Sequence, residues 1–449
     1  MTCIYIHTYT YTHIYTYMLS NWSDDFLSHT CDLIDEIKTI RPHPTIIHQK
    51  TYILPTTDEK SLLNAFYEVF KLTEGHPLIK RHLNQTQIIT TLNIIQEISI
   101  SNLDDFHYFV QHLPCGREIQ DVLCDYIINF TNIPEIYKRY ILGSFVSPVI
   151  LSWMFKHIKY VSSYVISDGT QIDILHTGNG ISHHDTVRQI WHIINIVKQL
   201  HRKHRYPTAH IIYIITPFKK RLNIFRTNHK INDVMIKYLQ LTDLKYNYCS
   251  FANPITSLNV NSGVTDNSNG YITIWRSEEF NKVLIHELLH LYSLEKCDYF
   301  ISPIANISNN YPRFPRELFT ELQTWYIYII YRMGNNIHVA NIANVRHHLD
   351  TERVHSLINV WKLFEHYHIR DSKQFTKPNM CQMMNVSCSV LYYYIFKAVM
   401  LFDIDRTMEQ LLLPDTNDNI KKLSQYTHDK INYLINSTQF DKYLKEISK

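Results

Sequence analysis

Glycine is scarce, with 9 residues in 449, and proline contributes only 15. Neither a fibre built on small residues nor a flexible polar linker is compatible with that composition. Charge of one sign is lacking as well. Lysine and arginine total 44 against 41 acids, a formal charge of +3 that is too small and too dispersed to require nucleic acid or an anionic membrane as a partner. The eight cysteines, at positions 3, 31, 115, 124, 249, 297, 381 and 388, form no C-x-x-C pair, and no basic-then-apolar segment opens the chain. They read as reduced thiols of an intracellular, soluble protein. The longest apolar run, Tyr140 to Phe155, is interrupted by Gly143 and Pro148 and falls short of a membrane helix. Internal repeats of solenoid length are also missing. What is present is 45% apolar residues, enough for one large core or two ordinary ones.

Residues 1–18 recycle Tyr, Thr, Ile and His with a period near two, a low-complexity head left out of fold reasoning. From Asp58 to about Phe155 apolar residues recur at helical spacing, as in Leu62, Phe66 and Phe70. The stretch 19–165 is therefore expected to be a helical N-terminal region. Strands and helices then alternate. Gln171–His176 reads as a strand, and the helix from Thr186, capped by Asp185 or Thr186, presents Val187, Ile190, Trp191, Ile194 and Val197 on one face. His210–Thr216 and Tyr271–Trp275 read as two more strands. A helix over 277–293 is expected with Ser277 as its N-cap, and Pro315 opens another. The fold class expected is α+β: a core over 166–345 with a small mixed sheet, followed by a helical C-terminal region over 346–449 that completes the cleft.

Residues 286–290 read His-Glu-Leu-Leu-His. On a helix, residues four apart share a face, so His286 and His290 can direct one imidazole nitrogen each at a single ion. Glu287 sits one residue round, beside such an ion, where it can take a proton from water as general base. The flanks Val283-Leu284-Ile285 and Leu291-Tyr292 carry no charge, as a buried helix requires. A catalytic zinc site wants a third protein ligand and an open position. Glu317 and Glu321, four apart just after Pro315, fit two roles. Glu317 is assigned to the metal, and Glu321 to accepting the second N–H of a ligand imidazole. Asp298 is a competing third ligand, but a short backtrack from the helix end is awkward.

HELLH followed by a separate helix carrying Glu317 resembles the gluzincin branch of zinc metallopeptidases, while Ser293 and Lys296 at the metzincin Gly and His positions disfavour that subclass, and Arg316 stands where thermolysin-like members carry Asn. The chain is more closely similar to metallopeptidase-like proteins encoded by large nucleocytoplasmic DNA viruses. The matching pieces are VNSGVT (260–265), ITIWRSEEFNKVLIHELLHL (272–291), ELFTELQTW (317–325) and SVLYYYIFKAVML (389–401). The resemblance implies a zincin-like core, one Zn2+, a peptide or protein substrate, and residence in host cytoplasm or virion. It implies also that the strand Tyr271–Trp275 pairs with an extended substrate. A donor to the oxyanion is expected opposite the metal. Tyr393, from the run Tyr392-Tyr393-Tyr394, is chosen for it, with His347 and His348 as other candidates.

The remaining features carry less. His183, His184 and Asp185 precede a helix and fit its start better than a second metal site. The cluster HRKHR, 201–205, suits a helix C-terminus and lacks the interleaved aromatics of a nucleic-acid surface. The rival from another class is a catalytically silent scaffold that serves as a viral structural component or binds host proteins. The intact Glu287 speaks against it.

Overall fold

The computed structural model describes residues 23–40, 43–54, 71, 148–178, 181–202, 205–218, 261–294, 314–335, 341–366 and 390–401, with a few positions between 418 and 429. In chain order these form α1 (Asp24–Lys38), β1 (Ile46–Ile53), α2 (Pro148–His157), β2 (Tyr160–Ile166), β3 (Gln171–His176), α3 (His184–His201), β4 (His210–Ile214), β5 (Gly263–Asp266), β6 (Tyr271–Ile274), α4 (Phe280–Leu291), α5 (Phe314–Gly334), α6 (Ile342–His366) and α7 (Val390–Met400). The low-complexity head and the helical stretch expected around Leu62, Phe66 and Phe70 lie outside the described residues.

One mixed six-stranded sheet organises the chain, in the order β1-β2-β3-β4-β6-β5. The strands β3, β4 and β6 run parallel; β1, β2 and β5 are antiparallel to their neighbours. In β4 and β6 all but the first residue is buried, which is why both read as unbroken apolar runs. The class is α+β, as expected, but the sheet starts earlier than expected. All of β1 and all but the last residue of β2 fall within 19–165, the stretch read as helical. Tyr160–Ile166 is rich in β-branched and aromatic residues that favour a pleated surface, and it forms a hairpin with β3 through Asp168-Gly169. Gly169 takes φ +90°, and Thr170 N–H donates to the Asp168 carboxylate at 2.9 Å.

Among the described elements, every helix but α2 packs into one buried cluster. It joins Ile172, Ile174, Ile211 and Ile272 from the sheet to Ile190, Ile193 and Val197 of α3, Leu284 and Leu288 of α4, and Leu318, Leu322 and Trp325 of α5. In α3 the buried stripe includes His192, Ile193 and Ile196, whereas Trp191 is only partly covered. This helix begins at His184, after an N-cap His183 that makes no side-chain capping bond, so Asp185 lies in the first turn, where an acid suits the dipole. The helix α4, by contrast, starts later than expected, at Phe280, with Glu279 and not Ser277 at its N-cap position. Ser277 instead donates its hydroxyl to the Thr216 carbonyl at 3.4 Å, tying the turn back towards β4. Among the described residues no helix is long and apolar enough to cross a membrane.

Candidate metal centre

The motif lies on α4, which is buried against β5, β6, α3 and α5. Successive turns of α4 present Lys282, His286 and His290 on one stripe. Two successive turns of α5 answer with Glu317 and Glu321. Lys282 Nζ lies 2.7 Å from Glu321 Oε1, His286 Nδ1 3.5 Å from Glu321 Oε2, His286 Nε2 3.4 Å from Glu317 Oε2, and His290 Nε2 3.6 Å from the same Glu317 oxygen. The earliest residue of one stripe meets the later residue of the other, so the two helices run antiparallel and their four-residue spacings mesh.

The Nε2 atoms of His286 and His290 are 3.0 Å apart. With Glu317 Oε2 they form a triangle with edges of 3.0, 3.4 and 3.6 Å. Three donors bound tetrahedrally to one ion at zinc-like distances of about 2.0–2.1 Å would stand about 3.3 Å from one another. The observed edges scatter around that value, and the group His286, His290 and Glu317 could hold a metal ion. At 3.0 Å the two imidazole nitrogens either share a proton in a hydrogen bond or face a common cation.

The electrostatics point the same way. Burial disfavours a charge on His286, but Glu317 and Glu321 outweigh it and hold its pKa up at about 9. Burial would raise the Glu317 carboxyl, yet hydrogen bonds from the two histidines keep it well below the usual carboxylate range. Glu321 is buried too, and Lys282, Lys397 and His286 together hold it ionised. Its Oε1 accepts from Lys397 Nζ at 2.9 Å, a residue brought in by α7.

Glu287 is buried beside this group without belonging to the converging donors. It points towards β5, where the Thr265 hydroxyl lies 2.7 Å from Glu287 Oε2 and 3.0 Å from the Glu287 carbonyl, donating to them. A Cβ on Gly263 would stand 2.6 Å from Val283 Cγ1 and 3.1 Å from Glu287 Oε1, so the strand can come this close only as glycine.

Sequence reasoning placed His286, Glu287, His290, Glu317 and Glu321, and the structure brings all five together. It missed three. Lys282 had a local signal, four residues before His286 on the same face. Thr265 and Lys397 arrive through strand pairing and helix packing, which no local spacing announces. Tyr393 falls on α7, but its side chain lies outside the described residues; its neighbour Tyr394 is buried. His347 and His348 lie on α6 and are not among the converging donors. Asp298 lies outside the described residues. The proposed substrate strand must also be corrected. Tyr271–Ile274 is flanked on both sides, by β4 and β5, so its backbone is already paired, and among the described strands the edge next to the site is β5. A period-two run shows that a strand exists and leaves its place in the sheet open.

Comparison of the chain with models of known protein families, with curated proteins and with solved structures finds no match.

Proposed function

We propose that the chain is a zinc-dependent metallopeptidase of the zincin type, hydrolysing peptide bonds with Glu287 as general base. The observation that carries this reading is the meeting of three donors at tetrahedral spacing with a carboxylate, Glu287, held beside them by Thr265. Imidazole, imidazole and carboxylate from a helix pair form a donor set suited to zinc, and three ligands leave a corner for water. Bound there, zinc would supply a water acidified towards neutrality and polarisation of the scissile carbonyl. The chain's own residues do the rest. Glu287 takes the proton of the attacking water and hands it to the departing amine. Thr265, bonded to one oxygen of Glu287, fixes the direction from which that proton is taken. Glu321 accepts from His286 and keeps the opposite ring nitrogen turned to the ion. The outer edge of β5 offers backbone donors and acceptors to an extended peptide, which would lie alongside Glu287.

Metal analysis and digestion of a peptide library test this together. The purified wild-type chain is expected to carry about one zinc and to cleave. Glu287→Gln should keep the zinc and lose turnover, whereas His286→Ala should lose the zinc. Equal inertness of wild type and Glu287→Gln, or a chain that takes up no metal, would replace the enzyme with a silent scaffold.

A further inference from the structure

Glu321 has an unusual setting for a carboxylate that serves a metal ligand. It is 7% exposed, and two ammonium groups share one of its oxygens: Lys282 Nζ at 2.7 Å and Lys397 Nζ at 2.9 Å from Oε1. The other oxygen, Oε2, faces His286 Nδ1 at 3.5 Å. A carboxylate with one oxygen clamped cannot spin about its last torsion, so the direction of Oε2 is set by where the lysines stand. Those positions are themselves fixed. Lys282 belongs to α4, one turn before His286, and Lys397 belongs to α7, which packs on α5. Neither lysine is a surface residue: their side chains are 23% and 5% exposed. A lysine as buried as Lys397 is rare and costs desolvation that only a specific partner offsets.

We propose that Lys282 and Lys397 are positioning residues of the metal site, clamping one oxygen of Glu321 so that the other holds the His286 ring with Nε2 turned to His290 and Glu317. The proposal deepens the reading above and rests on it for the metal, though not for the clamp itself. Its consequence is that the site is completed from the C-terminal region: α7 contributes no ligand, yet through Lys397 it fixes the orientation of one. Lys397 is the more deeply placed of the two, so its loss has the larger effect.

Two measurements test it on the full chain, each with Lys282→Met and Lys397→Met separately, so that Glu321 always keeps one cation. The first is the Nδ1–H proton resonance of His286 in metal-free protein, identified by its disappearance in His286→Gln. It is expected to be observable in wild type, lost to fast solvent exchange in both Met variants, and restored in Lys282→Arg. The second is zinc affinity by chelator competition, expected to weaken by about 10–100-fold, the range typical of partners that orient a ligand. Thermal melting identifies a variant that has simply unfolded. An unchanged resonance together with unchanged affinity in both Met variants overturns the clamp. If wild type binds no zinc but the resonance behaves as described, the clamp stands and the metallopeptidase reading fails.

Discussion

Thr265 is the residue whose contribution is most sharply separable. Its hydroxyl reaches both the side chain and the backbone of Glu287, yet it touches none of the three converging donors. Replacing it with valine keeps the shape and removes the donor. A hydrogen bond to a charged group is worth about 1.5–3 kcal/mol, so Thr265→Val is expected to lower kcat by about 10–100-fold with zinc content unchanged, and Thr265→Ser to retain most of the rate. Steady-state kinetics beside metal analysis check this. Gly263→Ala acts on the same carboxylate by crowding, since the added methyl would stand 2.6 Å from Val283 Cγ1. Overpacking of this kind costs about 1–3 kcal/mol, to be read from urea denaturation, and displaces Glu287 as well. At this scale the sequence was legible where function follows helix periodicity: His286, His290, Glu317 and Glu321 are each one turn from a partner. It was silent on Thr265, whose partner is 22 positions away and is met only because β5 folds against α4.

Among the elements, α4 and α5 depend most on each other. A bound ion would tie His286 and His290 of one to Glu317 of the other, so metal stabilises the folded chain by mass action. Chelation is expected to lower the melting temperature, by the equivalent of about 4 kcal/mol at a free metal concentration a thousand times Kd, and Glu317→Ala should remove most of that response. Differential scanning calorimetry with and without chelator measures it. The helices α3, α4, α5 and α7 and the strands β3, β4 and β6 were visible in the sequence, whereas α1 and α2 were not singled out. The strand β5 was not, because its four residues are all half-buried and show no alternation. For the same reason β6 was mistaken for the free edge.

The whole molecule has a pH response built from its buried histidines. His183 is pushed down to about 4 by burial and by the neighbouring His176, whose ring lies 4.4 Å away, and burial lowers His176 and His192 as well. These groups stay neutral in the fold while their unfolded counterparts, near 6.5, take up protons. Their contribution to stability is therefore complete above about pH 6.5 and is lost as pH falls below it, for His183 towards about 4. Denaturation midpoints should drop between pH 6.5 and 5, and His183→Phe should flatten that slope. The domain boundaries at 166 and 345, drawn from the pattern of helices and strands, would cut β1 and β2 from the sheet and Lys397 from Glu321. A fragment of 166–345 is thus expected to be insoluble, which expression and size-exclusion chromatography will show. The meshing of α4 with α5 sets one further condition. Because both stripes advance by four residues per step, a single residue inserted within either helix would swing everything beyond it by about 100° and misdirect several pairings at once. The phase of these two rods, one against the other, is therefore what this centre cannot give up.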